Sequence, residues 1–136
     1  MCGIIGIYLK NEGLNSQLGT FLADMLVEMS DRGPASAGIA LYRDPVPQSS
    51  CKLTLNAEGN FDWANLQASM SGYLGSNVTL EILASHAVVV AASDGTALQE
   101  WLGSEYPELR VMSAGSAIEI YKEKGLPRDF VKDFEL

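Results

Sequence analysis

Apolar residues recur along this chain with two periods, and the changes between them mark its elements. Residues 2–9 (Cys-Gly-Ile-Ile-Gly-Ile-Tyr-Leu) form a short apolar run suited to a buried strand. Lys10-Asn11-Glu12-Gly13 is a turn signal. Leu18, Phe21, Leu22, Met25, Leu26 and Met29 then fall on one stripe of a helix, with Asn15 or Ser16 as N-cap. Asp31-Arg32-Gly33-Pro34 stops that helix near Ser30, and residues 37–42 read as a second buried strand. Two prolines and two serines between Arg43 and Ser50 mark a boundary.

Beyond that boundary the two periods take turns. Residues 51–57 alternate apolar and polar in the manner of a strand. Asp62 caps a predicted helix whose stripe is Trp63, Leu66, Met70 and Tyr73 or Leu74. Residues 78–83 and 86–92 follow as strands around an Ala84-Ser85 turn, and Asp94 caps a helix bearing Leu98, Trp101 and Leu102. Residues 109–112 and 117–121 supply the last strand, drawn as one long strand bent at Gly115. The order is βαββαβ, the ferredoxin-like split βαβ pattern. Pro127 then opens a helix with Phe130, Val131 and Phe134 on one face, and the sequence stops at Leu136 within it. The expectation is an α+β protein in three parts: 1–44, an inserted βαββαβ subdomain over 45–124, and a return segment over 125–136.

Composition narrows the partners. Of 136 residues, 47% are apolar and 19% charged, enough to build a core. Nine Lys+Arg against 17 Asp+Glu give a net charge of −8. That balance argues against nucleic acid and against an anionic membrane surface, which need clustered positive charge. No apolar run approaches the ~20 residues of a membrane span, and no basic segment precedes the apolar start as in a secretory signal. Two cysteines, Cys2 and Cys51, read as free thiols in a reducing cytoplasm. One histidine and two distant cysteines give no ligand cluster, so neither a metal nor another cofactor is expected. His86, at the start of a strand, reads as a packed or surface histidine.

Chemistry concentrates at the start of the chain. Methionine is removed efficiently before a small second residue, and Cys2 would then carry its thiol and a free α-amino group on one carbon. That amine can take the thiol proton directly or through water, so nucleophile and base come from one residue. Gly3 permits close approach of the backbone. On Met-Cys alone, Cys2 as an ordinary small residue is the stronger reading, and the motifs that follow are what change it.

Met1-Cys2-Gly3-Ile4-Ile5-Gly6-Ile7, then the amphipathic helix, then Asp31-Arg32-Gly33-Pro34-Ala35-Ser36-Ala37-Gly38 resembles the start of class II glutamine amidotransferases. These are N-terminal-nucleophile hydrolases with an αββα glutaminase fold. The resemblance implies that Cys2 is the nucleophile, attacking L-glutamine to form a γ-glutamyl thioester that water hydrolyses. Ammonia would pass to a partner synthase subunit or domain. Arg32 and Gly33 would support the substrate site, Arg32 by favouring the thiolate. Arg32 also reads simply as a cation completing a helix C-terminal turn. Ala35 departs from the family's segment, where an Asp often stands between Pro and Ser.

The family's other segments are missing. His-Asn-Gly supplies its oxyanion hole, Gly-His-x-Arg holds the substrate carboxylate, and a downstream Asp holds the amino group; none occurs here. One lost oxyanion donor costs roughly 10²–10³ in rate, so the chain alone is expected to be inactive. The first explanation is an N-terminal portion of a longer amidotransferase, similar to subunits related to glutamate synthase and N-methylglutamate synthase. The second is a non-catalytic interaction or regulatory module that keeps the amidotransferase start. A homo-oligomer stays open under either.

Overall fold

The computed structural model describes residues 2–32 and 35–136. It is a mixed α and β chain with antiparallel pairing in its larger sheet, as the α+β expectation has it. Contacts divide it into two compact units, Met1–Gly38 with Lys122–Leu136, and Ile39–Tyr121.

In the first unit, a 3-10 turn over Glu12–Gln17 runs directly into α1 (Leu18–Glu28). Neither Asn15 nor Ser16 caps α1: its N-cap position is Gln17, which makes no side-chain cap bond, and the capped start is that of the 3-10 turn. Asn11 Oδ1 accepts from the backbone N–H of Gly13 at 2.9 Å, satisfying a donor at the true start of the turn. The predicted stripe holds: Leu22 and Leu26 are buried. α1 packs on α4 (Pro127–Asp133), whose Phe130 is buried and stacks on the buried Phe134 at 4.3 Å between ring centroids. Pro127 opens α4, where its missing N–H costs nothing.

The strand expected over residues 2–9 is not formed. An apolar segment becomes a strand only when a neighbour accepts and donates its backbone hydrogen bonds, and no described strand lends it an edge. Ile4 and Tyr8 are accordingly 95% and 85% exposed.

β1 (Ser36–Tyr42) pairs with β6 (Ile118–Lys124) in a two-stranded ribbon. Backbone bonds tie it at both ends: Arg43 N–H to Ala117 O at 3.1 Å, and Gly125 N–H to Ala35 O at 3.0 Å.

The Ile39–Tyr121 unit holds the larger core. Its elements are β2 (Cys51–Asn56), α2 (Trp63–Leu74), β3 (Thr79–Leu83), β4 (His86–Ala91), α3 (Gly95–Glu105) and β5 (Arg110–Gly115). The sheet order is β3-β4-β2-β5, and every neighbouring pair is antiparallel. Both predicted caps are made: Asp62 accepts from Asn65 N–H at 3.0 Å and Asp94 from Thr96 N–H at 3.1 Å. Gly75 closes α2 at φ 66, a left-handed conformation that glycine takes without Cβ strain. Leu53, Leu55, Ala87 and Val89 face Leu66, Met70, Leu98 and Leu102 across a closed apolar layer.

One expectation changes here. The last strand is not one strand bent at Gly115 but two, in different sheets, because the chain turns at Ser116-Ala117 and β6 pairs with β1. All six residues of β2 are buried, on both sides of the strand. The polar face is covered by β6, whose Ile120 N–H donates to Ser113 Oγ on β5 at 3.2 Å.

Candidate active site

Cys2 carries an exposed free thiol. Its neighbour Gly3 runs against the end of α1. A Cβ on Gly3 would overlap the terminal methyl of Met29 and lie 3.5 Å from Arg32 Cβ. The close approach that glycine permits is thus made to this helix end. Arg32 is exposed, and its backbone N–H donates to Met29 O at 3.0 Å, which completes a turn after the helix. The fold therefore brings the segment after Cys2 beside Arg32. Gly33, the third residue singled out, lies outside the described residues together with Pro34 and Met1.

A second polar constellation, not anticipated from the sequence, lies on the face of the four-stranded sheet away from the helices. Glu119 on β6 is 5% exposed. Its Oε2 meets Lys52 Nζ and Arg43 Nε, each at 3.1 Å, and its Oε1 accepts from Tyr121 O–H at 2.6 Å. The Tyr121 ring lies 5.5 Å from that of His86, which is fully buried and has Ser85 Oγ 3.0 Å from Nδ1. Lys52 and Glu119 stand 67 residues apart, so no local pattern could have paired them.

Burial raises the pKa of the Glu119 carboxyl, but hydrogen bonds from Tyr121 and Lys52, with the charges of Arg43 and Lys52, outweigh it and hold it below its ordinary value. Burial and the bond to Glu119 push the Tyr121 phenol well up, so it stays a donor. Burial and the Asp94 charge raise the Cys51 thiol against a hydrogen bond from Ala91, which makes Cys51 a poor rival nucleophile to Cys2. The unfolded Glu119 carboxyl binds protons below about 4.5, while the folded one resists them to lower pH. Stability of this unit should therefore fall as pH drops from 4.5 through the folded pKa, as urea midpoints followed by tryptophan fluorescence will report. A midpoint flat across that range would refute it.

Comparison with known proteins bears on the whole chain. A protein of Rhizobium meliloti (strain 1021) named glutamine amidotransferase-like protein GlxB is 40% identical over 138 aligned residues. The chain is kin to a glutamine amidotransferase-like protein. That similarity takes in 100% of this chain but 45% of the relative, so the chain spans less than half of its relative's length. No family model matches the chain, and no solved structure matches it. No helix among the described residues is long and apolar enough to cross a membrane.

Proposed function

We propose that this chain is the nucleophile-bearing part of a class II glutamine amidotransferase. The observation that carries the reading is the 40% identity, along the full chain, to a glutamine amidotransferase-like protein. The Met-Cys-Gly start, the exposed Cys2 thiol and the placement of Gly3 beside Arg32 support it.

In this reading Met1 is removed and the α-amino group of Cys2 takes the thiol proton. The thiolate attacks the side-chain amide carbon of L-glutamine. The tetrahedral adduct collapses with proton transfer to nitrogen, releasing ammonia and leaving a γ-glutamyl thioester on Cys2. Water, deprotonated by the same amine, cleaves the thioester to glutamate and restores the thiol. The ammonia passes to a partner synthase. Arg32 and Gly33 support the substrate loop. Residues 1–44 form the start of the αββα glutaminase layer and 125–136 return toward it. Residues 45–124 are a ferredoxin-like insert, a reading that the β3-β4-β2-β5 order supports. The oxyanion-hole and carboxylate-clamp segments are absent from the 136 residues, so the chain alone turns over no glutamine.

The test joins the chain to the portion of the Rhizobium relative outside the match and treats the chimera with a glutamine-mimicking diazoketone. The expected result is loss of Met1 by intact mass and one adduct, abolished by Cys2→Ala and kept in Cys51→Ala. Glutamine hydrolysis by the chimera should vanish with the same Cys2 change, while the unfused chain takes no adduct. Met1 retained on every molecule, or an adduct that survives Cys2→Ala, would leave a non-catalytic module as the better description.

A further inference from the structure

The two helices of the Ile39–Tyr121 unit turn one side to the sheet and leave the other to water. Leu66, Met70, Leu98 and Leu102 go inward. Outward, α2 exposes Ala64, Asn65, Ala68 and Gly72, and none of its 12 residues carries a charge. A solvent-facing helix ordinarily places charged residues there. Aromatic rings bridge α2 and α3 instead. Tyr73, 52% exposed, stacks on the half-buried Trp101 at 4.9 Å between centroids and 13° between planes. Trp101 meets Tyr106 at 5.9 Å, and Tyr106 meets Phe61 at 6.1 Å. The row is held in place: Tyr106 O–H lies 3.0 Å from both Asn65 Oδ1 and Ser69 Oγ on α2.

The rim of this face has one sign. Asp62 opens α2, and on α3 Glu100 precedes Trp101 while Glu105 lies one turn beyond it; all three are exposed. Glu105 sits in the last turn of α3, where the helix dipole already ends negative and no basic residue offsets it. Residues 53–109 contain no lysine or arginine, and their one histidine, His86, is fully buried. Among the described residues, none of the three carboxylates has an ion-pair partner.

An uncharged centre of fixed aromatic rings inside a charged rim is the make-up of a protein–protein interface, whose core is depleted in charge and enriched in Tyr and Trp. The sign of the rim selects the occupant. A second copy would set acidic rim against acidic rim, and nucleic acid or an anionic lipid surface would be repelled. A surface that carries arginine and lysine around apolar residues gains in both places. Its cations pair with Glu100 and Glu105, and an arginine lays its guanidinium on the open part of the Tyr73 ring.

We propose that the outer face of α2 and α3 docks a partner protein through a basic surface with an apolar centre. The proposal does not rest on the glutaminase reading. The test titrates the full chain with an amphipathic helical peptide, leucine along one side and arginine along the other, and follows tryptophan emission, since Trp101 belongs to the face. A companion peptide carries glutamate in place of arginine. The expected result is saturable binding of the arginine peptide at roughly 100 μM or below, and none of its companion. Tyr73→Ser, and Glu100→Gln with Glu105→Gln, should each weaken binding about fivefold or more. Glu12→Gln with Asp24→Asn removes the same charge from exposed positions of the other unit and should leave binding within about twofold. All the replaced side chains are exposed, so the thermal midpoint should hold and a lost signal would not mean a lost fold. Each of four results would overturn the proposal: no saturation by about 1 mM, a Tyr73→Ser chain that binds as tightly as the parent, equal losses from the two charge-removing pairs, or a chain that sediments alone as a dimer which Tyr73→Ser dissolves.

Discussion

Glu119→Ala should lower the unfolding free energy of the Ile39–Tyr121 unit by about 3–5 kcal/mol, the usual cost of leaving a buried charge without its partner. The size follows from what remains. Lys52 is nearly as buried as Glu119, and Glu119 is the acceptor that answers its ammonium. Tyr121 loses its 2.6 Å acceptor at the same time. Arg43→Gln should cost no more than about 1 kcal/mol, because its side chain is 61% exposed and water replaces the partner. Lys52→Met should fall between the two, since Glu119 keeps Arg43 and Tyr121. Both tryptophans, Trp63 and Trp101, lie in this unit, so urea titration followed by their fluorescence reads it directly. A Glu119→Ala loss no larger than that of Arg43→Gln would mean the pair is effectively solvated.

Leu66→Ala should cost about 2–5 kcal/mol by the same measurement, from lost apolar transfer and from the cavity left behind. Leu66 is fully buried on α2, in the layer that also holds Met70, Leu98 and the sheet residues Leu53 and Leu55. The upper half of that range applies if the layer cannot relax inward. Leu66→Met, which nearly conserves volume, should cost under about 1.5 kcal/mol. Equal costs for Ala and Met would show that the layer is loosely packed.

Much of this architecture is legible in the sequence, and what is not has a common physical cause. The stripe of α1, the caps at Asp62 and Asp94 and the start of α4 at Pro127 are local patterns, and each is made. Residues 2–9 fail as a strand because pairing needs an edge elsewhere, which an apolar run cannot supply for itself. Lys52, Thr54 and Asn56 alternate with apolar neighbours as a solvent-facing row would. Only the arrival of β6 across that face shows that they are buried. The bent last strand fails for the same reason: Gly115 marks a break, but which sheet claims the residues after it is a long-range matter. For the candidate site, Cys2 and Arg32 were visible through motif and neighbourhood, whereas Lys52, Glu119 and Tyr121 become a site only in three dimensions.

The paired strands β1 and β6 alter how the chain's ends find each other. Gly125 bonds to Ala35 across the far end of that ribbon, and Arg43 to Ala117 across the near end. In the unfolded chain, joining α1 to α4 means closing a loop of about a hundred residues, with an entropic cost that grows only slowly with length but must be met before any contact rewards it. Once the Ile39–Tyr121 unit has folded, its two strand ends are already side by side. Docking α4 on α1 then becomes a short-range search. The chain's most distant contacts in sequence would be among its easiest to make, and folding of the terminal helices should follow that of the sheet rather than lead it.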